Sequence, residues 1–219
     1  MSFSKVGTHG KISASETSCS YNYATPAGYQ YTALLTPAVS GNVCVVALDI
    51  TFNTHSKLST AYGMAPDGAD LEKPLHEQTS LCVERTMDIG GQVSRTSGSP
   101  WWVDMQKDPR VSGLPSGVPD DVKGLVLVWR QSETCAHGEF AIFAPKVFRD
   151  MSIRDGLPVF RAVPAGCTRF AVTGVPGATI KVNQALGDKA LEALKGGDAA
   201  FVEWINETFA GGGGCCVVA

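Results

Sequence analysis

The stretch "GLVLVWRQSETCAHGEFAIF", residues 124–143, decides the fold. An apolar run rich in Val, Leu and Trp leads into the polar cluster "SETCAHG", and a second apolar run returns with Gly138-Glu139 at the turn exit. Both runs are too short for helices and carry β-branched and aromatic residues, so the pattern predicts an antiparallel hairpin. "GLVLVW" is apolar throughout, as in a strand covered on both faces, whereas "EFAIF" alternates, as in a strand with one covered face.

Outward from this hairpin, similar runs recur between turn clusters. They are "YQYTALL" (29–35), "NVCVVALDITFN" (42–53), "KLSTAYGM" (57–64), "SLCVERTMDI" (80–89) and "PWWVDM" (100–105), with the hairpin's second strand extending as "EFAIFAPKVF" (139–148). "NVCVVAL" is again apolar on both faces, and no helical pattern separates these runs. Gly 24 and Pro 12 supply the turns. This predicts a mainly β protein, a β-sandwich. Residues 1–27 are polar and Ser/Thr-rich, with Lys5 and Lys11 their only cations, and read as an N-terminal arm. Residues 152–219 read as an extension. It holds three short strands, "LPVFRAV", "TRFAVTG" and "ATIKV", then a helix with Leu186, Ala190, Leu191 and Leu194 at helical spacing. After a Gly-Gly break, Asp198 opens a second helix whose Phe201, Trp204, Ile205 and Phe209 form an apolar stripe suited to docking.

Composition excludes several classes. With 44% hydrophobic and 18% charged residues the chain buries a core, and a net charge of −3 gives no global pull toward nucleic acid or anionic lipid. The opening lacks the apolar core of a signal peptide, and no run spans a bilayer, so a reducing cytosolic compartment is expected. Seven cysteines without a C-x-x-C pair read as reduced thiols, Cys44 and Cys82 lying inside apolar runs. The sequon at Asn206 is then a chance match.

Enzyme signals are weak. His9, His55, His76 and His137 lie scattered in expected loops; "CAH" (Cys135 to His137) has no further ligand nearby, and "AGGGGCC" lacks the Lys-Ser/Thr of a phosphate loop. No residue volunteers as nucleophile or base, and the expectation is a protein that is not an enzyme.

Three motifs in order carry a resemblance: "SKLSTAYGMAPDGADLEKP", "PWW", and "LVW…GEFAIFAP". Together they resemble the shell domain of coat proteins from small icosahedral positive-strand RNA viruses, of the tombusvirus, sobemovirus and luteovirus kind. The resemblance covers about half the chain. It implies an eight-stranded antiparallel jelly-roll β-sandwich over residues 28–151 with a short β/α C-terminal extension. It also implies a capsid protein that self-assembles into a shell around single-stranded RNA, found in the virion and host cytoplasm, with copies of itself and the viral RNA as partners. Trp101, Trp102 and Trp129 are then core or subunit contacts.

The same resemblance implies calcium between subunits. Asp67 and Asp70 would be ligands from one subunit, with Asp120 and Asp121 as partners across the interface, since a hard cation joins carboxylates that otherwise repel. The alternative is local: Asp67-Gly68 makes a tight turn and Asp70 bonds the backbone beyond it. The basic arm usual in that family is missing here, which moves RNA contact to Lys146, Arg149, Arg154, Arg161 and Arg169. Against Asp150 and Asp155 they leave a local balance of +3. A solvated, salt-bridged face is the plainer account of the same residues.

Two rivals remain. "CVVA" at Cys216 fits the prenylation pattern, with Cys215 open to a palmitate, although no polybasic companion precedes it. The other rival is a soluble β-sandwich binding protein of lectin or pore-forming type.

Overall fold

Fifteen short strands and two helices alternate with turns in a computed structural model that describes residues 1–21, 31–52, 60–85, 103–104, 121–143, 153–154, 157–158, 160–174 and 176–210. The strands are β1 (Ser2–Val6), β2 (Gly10–Ile12), β3 (Ser18–Tyr21), β4 (Tyr31–Thr36), β5 (Val43–Phe52), β6 (Thr60–Pro66), β7 (Leu81–Arg85) and β8 (Val103–Asp104). They continue with β9 (Asp121–Arg130), β10 (Glu139–Phe143), β11 (Ile153–Arg154), β12 (Leu157–Pro158), β13 (Arg161–Ala162), β14 (Cys167–Gly174) and β15 (Ala178–Val182). Helices α1 (Gln184–Lys195) and α2 (Asp198–Ala210) close the described chain.

The fold is mainly β. Among the described residues, one sheet has the order β1-β4-β14-β6-β7-β8 and the other β13-β10-β9-β5-β15-β3-β2, with β11 and β12 paired separately. The ladders are antiparallel except for the two-residue contact of β8 with β7. The pairing is nested along the chain: β3 lies beside β15, β4 beside β14, β5 beside β9, and β6 beside β7.

Strand periodicity sorts the side chains into layers. On β9, Leu125, Leu127 and Trp129 enter the core between the sheets, where Val46, Leu48 and Ile50 of β5 and Phe170 and Val172 of β14 meet them. The alternate residues, Val126 and Val128 with Ala47 of β5, face outward and are covered by Ala190, Phe201 and Ile205 of the helices. That second cover is why "NVCVVAL" and "GLVLVW" are apolar on both faces. It also corrects the reading of "EFAIF" as covered on one face. Phe140 and Ile142 fill the inter-sheet core, while Ala141 and Phe143 pack beneath the helices.

The outer face of the other sheet is covered differently. Leu34 lies among the small side chains of Ala61, Ala65, Cys82 and Ala171, and the β6–β7 connection folds back over them with Leu75 fully buried.

The domain boundaries expected from sequence change. Residues 1–21 are not an arm: β1 to β3 join the two sheets, and Phe3, Cys19 and Tyr21 are buried in the common core. Tyr21 lies flat on Gly174, where an added Cβ would fall 2.0 Å from its ring. The extension is likewise part of the sandwich, because β14 and β15 are interior strands. The sheets therefore span Ser2 to Val182 rather than 28–151.

Helix α1 is anchored at its start. Asn183 accepts from the Leu186 amide at 3.0 Å and donates to Asp49 Oδ2 at 3.1 Å, while Asp49 Oδ1 accepts from the Gly124 amide at 2.9 Å. One carboxylate thus ties the cap of the helix to the irregular point where β5 meets β9. At the other end, Arg130 of β9 bonds Glu139 at 3.1 Å and Asp198 at 3.0 Å, with its guanidinium 3.7 Å from the Phe160 ring centre. Asp198 opens α2 as expected, and its carboxylate is held by that arginine.

Candidate functional site

The loop "PDGADLEKPLHEQTS", residues 66–80, carries the two aspartates singled out by sequence, and its bonding explains their placement. Gln78 organises it. Its carbonyl accepts from the Asp70 amide at 2.8 Å, and its amide donates to the Asp70 oxygen at 3.0 Å and the Lys73 oxygen at 3.1 Å. The buried Thr32 hydroxyl donates to the Lys73 oxygen at 2.6 Å, and the Leu75 amide donates to Thr173 Oγ1 at 2.9 Å. These bonds satisfy backbone groups that the covering loop takes out of water.

The turn that follows β1 holds the same loop from outside. Glu72 Oε1 accepts from the Thr8 amide at 2.6 Å and hydroxyl at 2.7 Å. Gly7 comes so close that a Cβ there would sit 2.4 Å from the Leu71 oxygen. Gly is required by that approach.

Asp67 is the centre of a charge cluster. Arg169 of β14 places Nε 3.1 Å and Nη2 3.0 Å from Asp67 Oδ1, and Lys5 of β1 reaches both carboxylate oxygens at 3.4 Å. Arg169 also donates to Thr36 Oγ1 at 2.9 Å. The hydrogen bond and charge of Lys5, followed by those of Arg169, hold the Asp67 carboxyl below the usual carboxylate range. Asp70 does turn chemistry: Oδ1 accepts from the Glu72 amide at 3.1 Å, and Oδ2 pairs with Lys73 at 3.4 Å. Among the described residues, no three His, Cys, Asp or Glu side chains gather to hold a metal ion.

The remaining sequence candidates scatter. Asp120, Lys146, Arg149 and Cys216 lie outside the described residues. Asp121 opens β9 opposite Thr51, and Arg154 sits in β11 opposite Leu157; their side chains are outside the described set. Arg161 is half-buried on the edge strand β13, opposite Phe140. Arg169 is committed to Asp67, so one of the five proposed RNA contacts is an intrachain ion pair.

Two concave regions were not singled out from sequence. One, of about 420 Å³, lies at the end of the sandwich where Trp129, His137 and Gly138 of the hairpin meet Val39 and Thr168. Its floor is fixed by Trp129 Nε1, which donates to the His137 oxygen at 3.0 Å. The other, of about 700 Å³, is a groove on the helix pair, floored by Leu186, Ala193 and Trp204 and rimmed by Asp188, Lys189, Glu192 and Glu207. The apolar stripe of α2 hinted at it, but Phe201 and Ile205 of that stripe turn into the protein. Among the described residues, no helix is long and apolar enough to cross a membrane.

No protein-family model matches the chain. No curated protein matches it. Among solved structures, it is similar to the SPRY domain of human HERC1, with a TM-score of 0.41 and 8% identity over 79% of this chain and 91% of that one.

Proposed function

We propose that this chain is a structural shell protein that self-assembles into a closed particle around single-stranded RNA. The observation that carries the proposal is the nested strand order. The pairs run inward along the chain as β3-β15, β4-β14, β5-β9 and β6-β7, with β1 and β2 added at the sheet edges. Such an order supports a jelly-roll reading, two Greek keys in two sheets, an architecture used by viral capsid and lectin domains. It joins the three sequence motifs that resemble the shell domain of small RNA-virus coat proteins.

The charged residues take roles within this reading. Lys146, Arg149, Arg154 and Arg161 would contact phosphates, repeated in every subunit. Calcium would bind Asp67 and Asp70 of one copy with Asp120 and Asp121 of the next, competing with Lys5 and Arg169 for the Asp67 carboxylate. Lipid attachment at Cys216 is the rival proposal, read out by intact mass after expression in a eukaryotic host.

Electron microscopy of the purified recombinant protein tests the main proposal. Uniform closed particles that retain nuclease-protected RNA are the expected result. Monodisperse monomers across salt, pH and calcium would overturn it.

A further inference from the structure

We propose that the cavity at the end of the sandwich, where segments 36–41, 131–138 and 164–168 meet, binds a neutral sugar. The inference stands on the cavity itself and goes beyond the self-assembly reading.

The walls are braced through their backbones. The Gln131 amide donates to the Asn42 oxygen and the Val39 amide to the Thr168 oxygen, both at 2.8 Å. The Gly138 amide donates to the Cys135 oxygen at 2.9 Å, and the Val163 amide donates to the Gly138 oxygen at 3.0 Å. Gly138 has a φ of +79°, and a Cβ there would fall 2.5 Å from Trp129 Nε1, so backbone and indole pack directly together. Walls fixed in this way shape the cavity before a ligand arrives, and binding then loses little to ordering. Its volume of about 420 Å³ lies within the range of small-molecule sites, about 300–1,000 Å³.

The side chains are used differently. Gln131, His137 and Thr168 line the cavity and are exposed, and among the described residues their side chains have no hydrogen-bond partner. Carboxamide and hydroxyl groups donate and accept alike, and a neutral imidazole does both through its two nitrogens. Sugar hydroxyls ask for that combination. Val39, Trp129 and Ala136 supply an apolar part of the same wall, which suits the C–H faces of a sugar ring. The described lining holds no Asp, Glu, Lys or Arg, so a charged ligand entering it would lose water without gaining a counter-ion from those side chains. An uncharged, hydroxylated ring fits this chemistry better than an acid or a phosphate does.

Glycan binding by the full chain tests the proposal. The protein is applied to an array of neutral, sialylated and sulfated glycans. The neutral glycan with the strongest signal is then titrated by calorimetry onto the wild type, Gln131→Ala, Thr168→Ala and the cavity-filling Ala136→Trp. All three positions are exposed, so the variants should keep the wild-type urea midpoint. The expected result is neutral binding that persists at high salt, weakens about three- to tenfold in each alanine variant, and is lost in Ala136→Trp. No signal from any neutral glycan overturns the proposal. So does binding confined to sialylated or sulfated glycans, or neutral binding that all three variants keep at wild-type strength.

Discussion

Phe201→Ala probes the joint between the helices and the sheet. Phe201 is fully buried, edge-on to Phe143 with ring centres 4.8 Å apart, and stacked on Trp204 at 5.7 Å. Truncating a buried phenylalanine costs about 3–5 kcal/mol, from lost transfer energy plus the cavity left behind. The edge-on pair with Phe143 adds about 0.5–1.5 kcal/mol beyond its area. Against a typical domain stability of about 5–15 kcal/mol, the change removes a large share. Urea denaturation followed by far-ultraviolet dichroism and by tryptophan fluorescence reads it out. If the helices and sandwich unfold together, both probes shift to a lower midpoint. If the joint is the weak point, dichroism records an early helical transition of its own. A double-mutant cycle with Phe143→Leu isolates the ring pair, with an expected coupling of about 0.5–1.5 kcal/mol. A loss below about 1 kcal/mol would refute the reasoning, because no fully buried aromatic anchor is that cheap to remove. It would mean that α2 does not cover the outer face of β9 and β10.

Other predictions follow from the loop and the core. Gln78→Ala deletes the amide that bridges Asp70 and Lys73, leaving the Asp70 amide without its partner at about 1–3 kcal/mol; the loss should appear as faster hydrogen exchange in residues 66–80 than elsewhere. Lys5→Ala removes the main competitor for Asp67 and should strengthen calcium binding measured by calorimetry, while Asp67→Asn should weaken it; no calcium heat with either variant or wild type sinks the metal proposal. The Asp67 carboxyl is depressed in the folded state, so its ion pairs stabilise the loop above the ordinary carboxylate range and are lost as pH falls through its folded value. Proteolysis in residues 66–73 should rise on acidification in the wild type and be insensitive to it in Asp67→Asn. Burial raises the Cys19 and Cys167 thiols from 9.0 to about 11. Their contribution is therefore full below pH 9 and is lost as the pH rises toward 11; alkylation followed by mass analysis at pH 8 should spare both in the folded protein and label both in urea.

Much of the sandwich was legible because strand patterning is local. The expected runs at 42–53, 124–131 and 139–148 contain β5, most of β9 and β10, and the two-faced apolar pattern of β5 and β9 correctly implied two covers. What covers them was not legible. α1 and α2 are more than fifty residues downstream of β9, and nothing within "GLVLVW" says whether a helix, a loop or another subunit lies on its second face. Short alternating strands misled for the same reason: in "EFAIF" the outward Ala141 and Phe143 are apolar because α2 sits on them. The loop aspartates were half legible. Asp70 bonds the backbone just beyond it, as the local reading of the loop expects, whereas the partners of Asp67 come from β1 and β14, 62 and 102 residues away in sequence.

The misplaced boundaries have one physical cause. In a nested winding, only the innermost pair, β6 with β7, is near in sequence, and each pair outward closes a longer loop. The outermost, β3 with β15, joins Cys19 to Ile180. A reader of sequence finds the inner pairs by turns and hydrophobic period and sees the outer strands as polar, Ser/Thr-rich ends. β3 is "SCSY", with only Cys19 and Tyr21 pointing inward. Such a strand is stabilised by the sheet it joins rather than by its own propensity. It follows that β3 and β15 depend on each other, and Tyr21→Ala should loosen Thr179 to Lys181 before it loosens β5. Hydrogen exchange that instead frees β5 first would place the weak edge of this sheet elsewhere, and with it the order in which the sheet comes together.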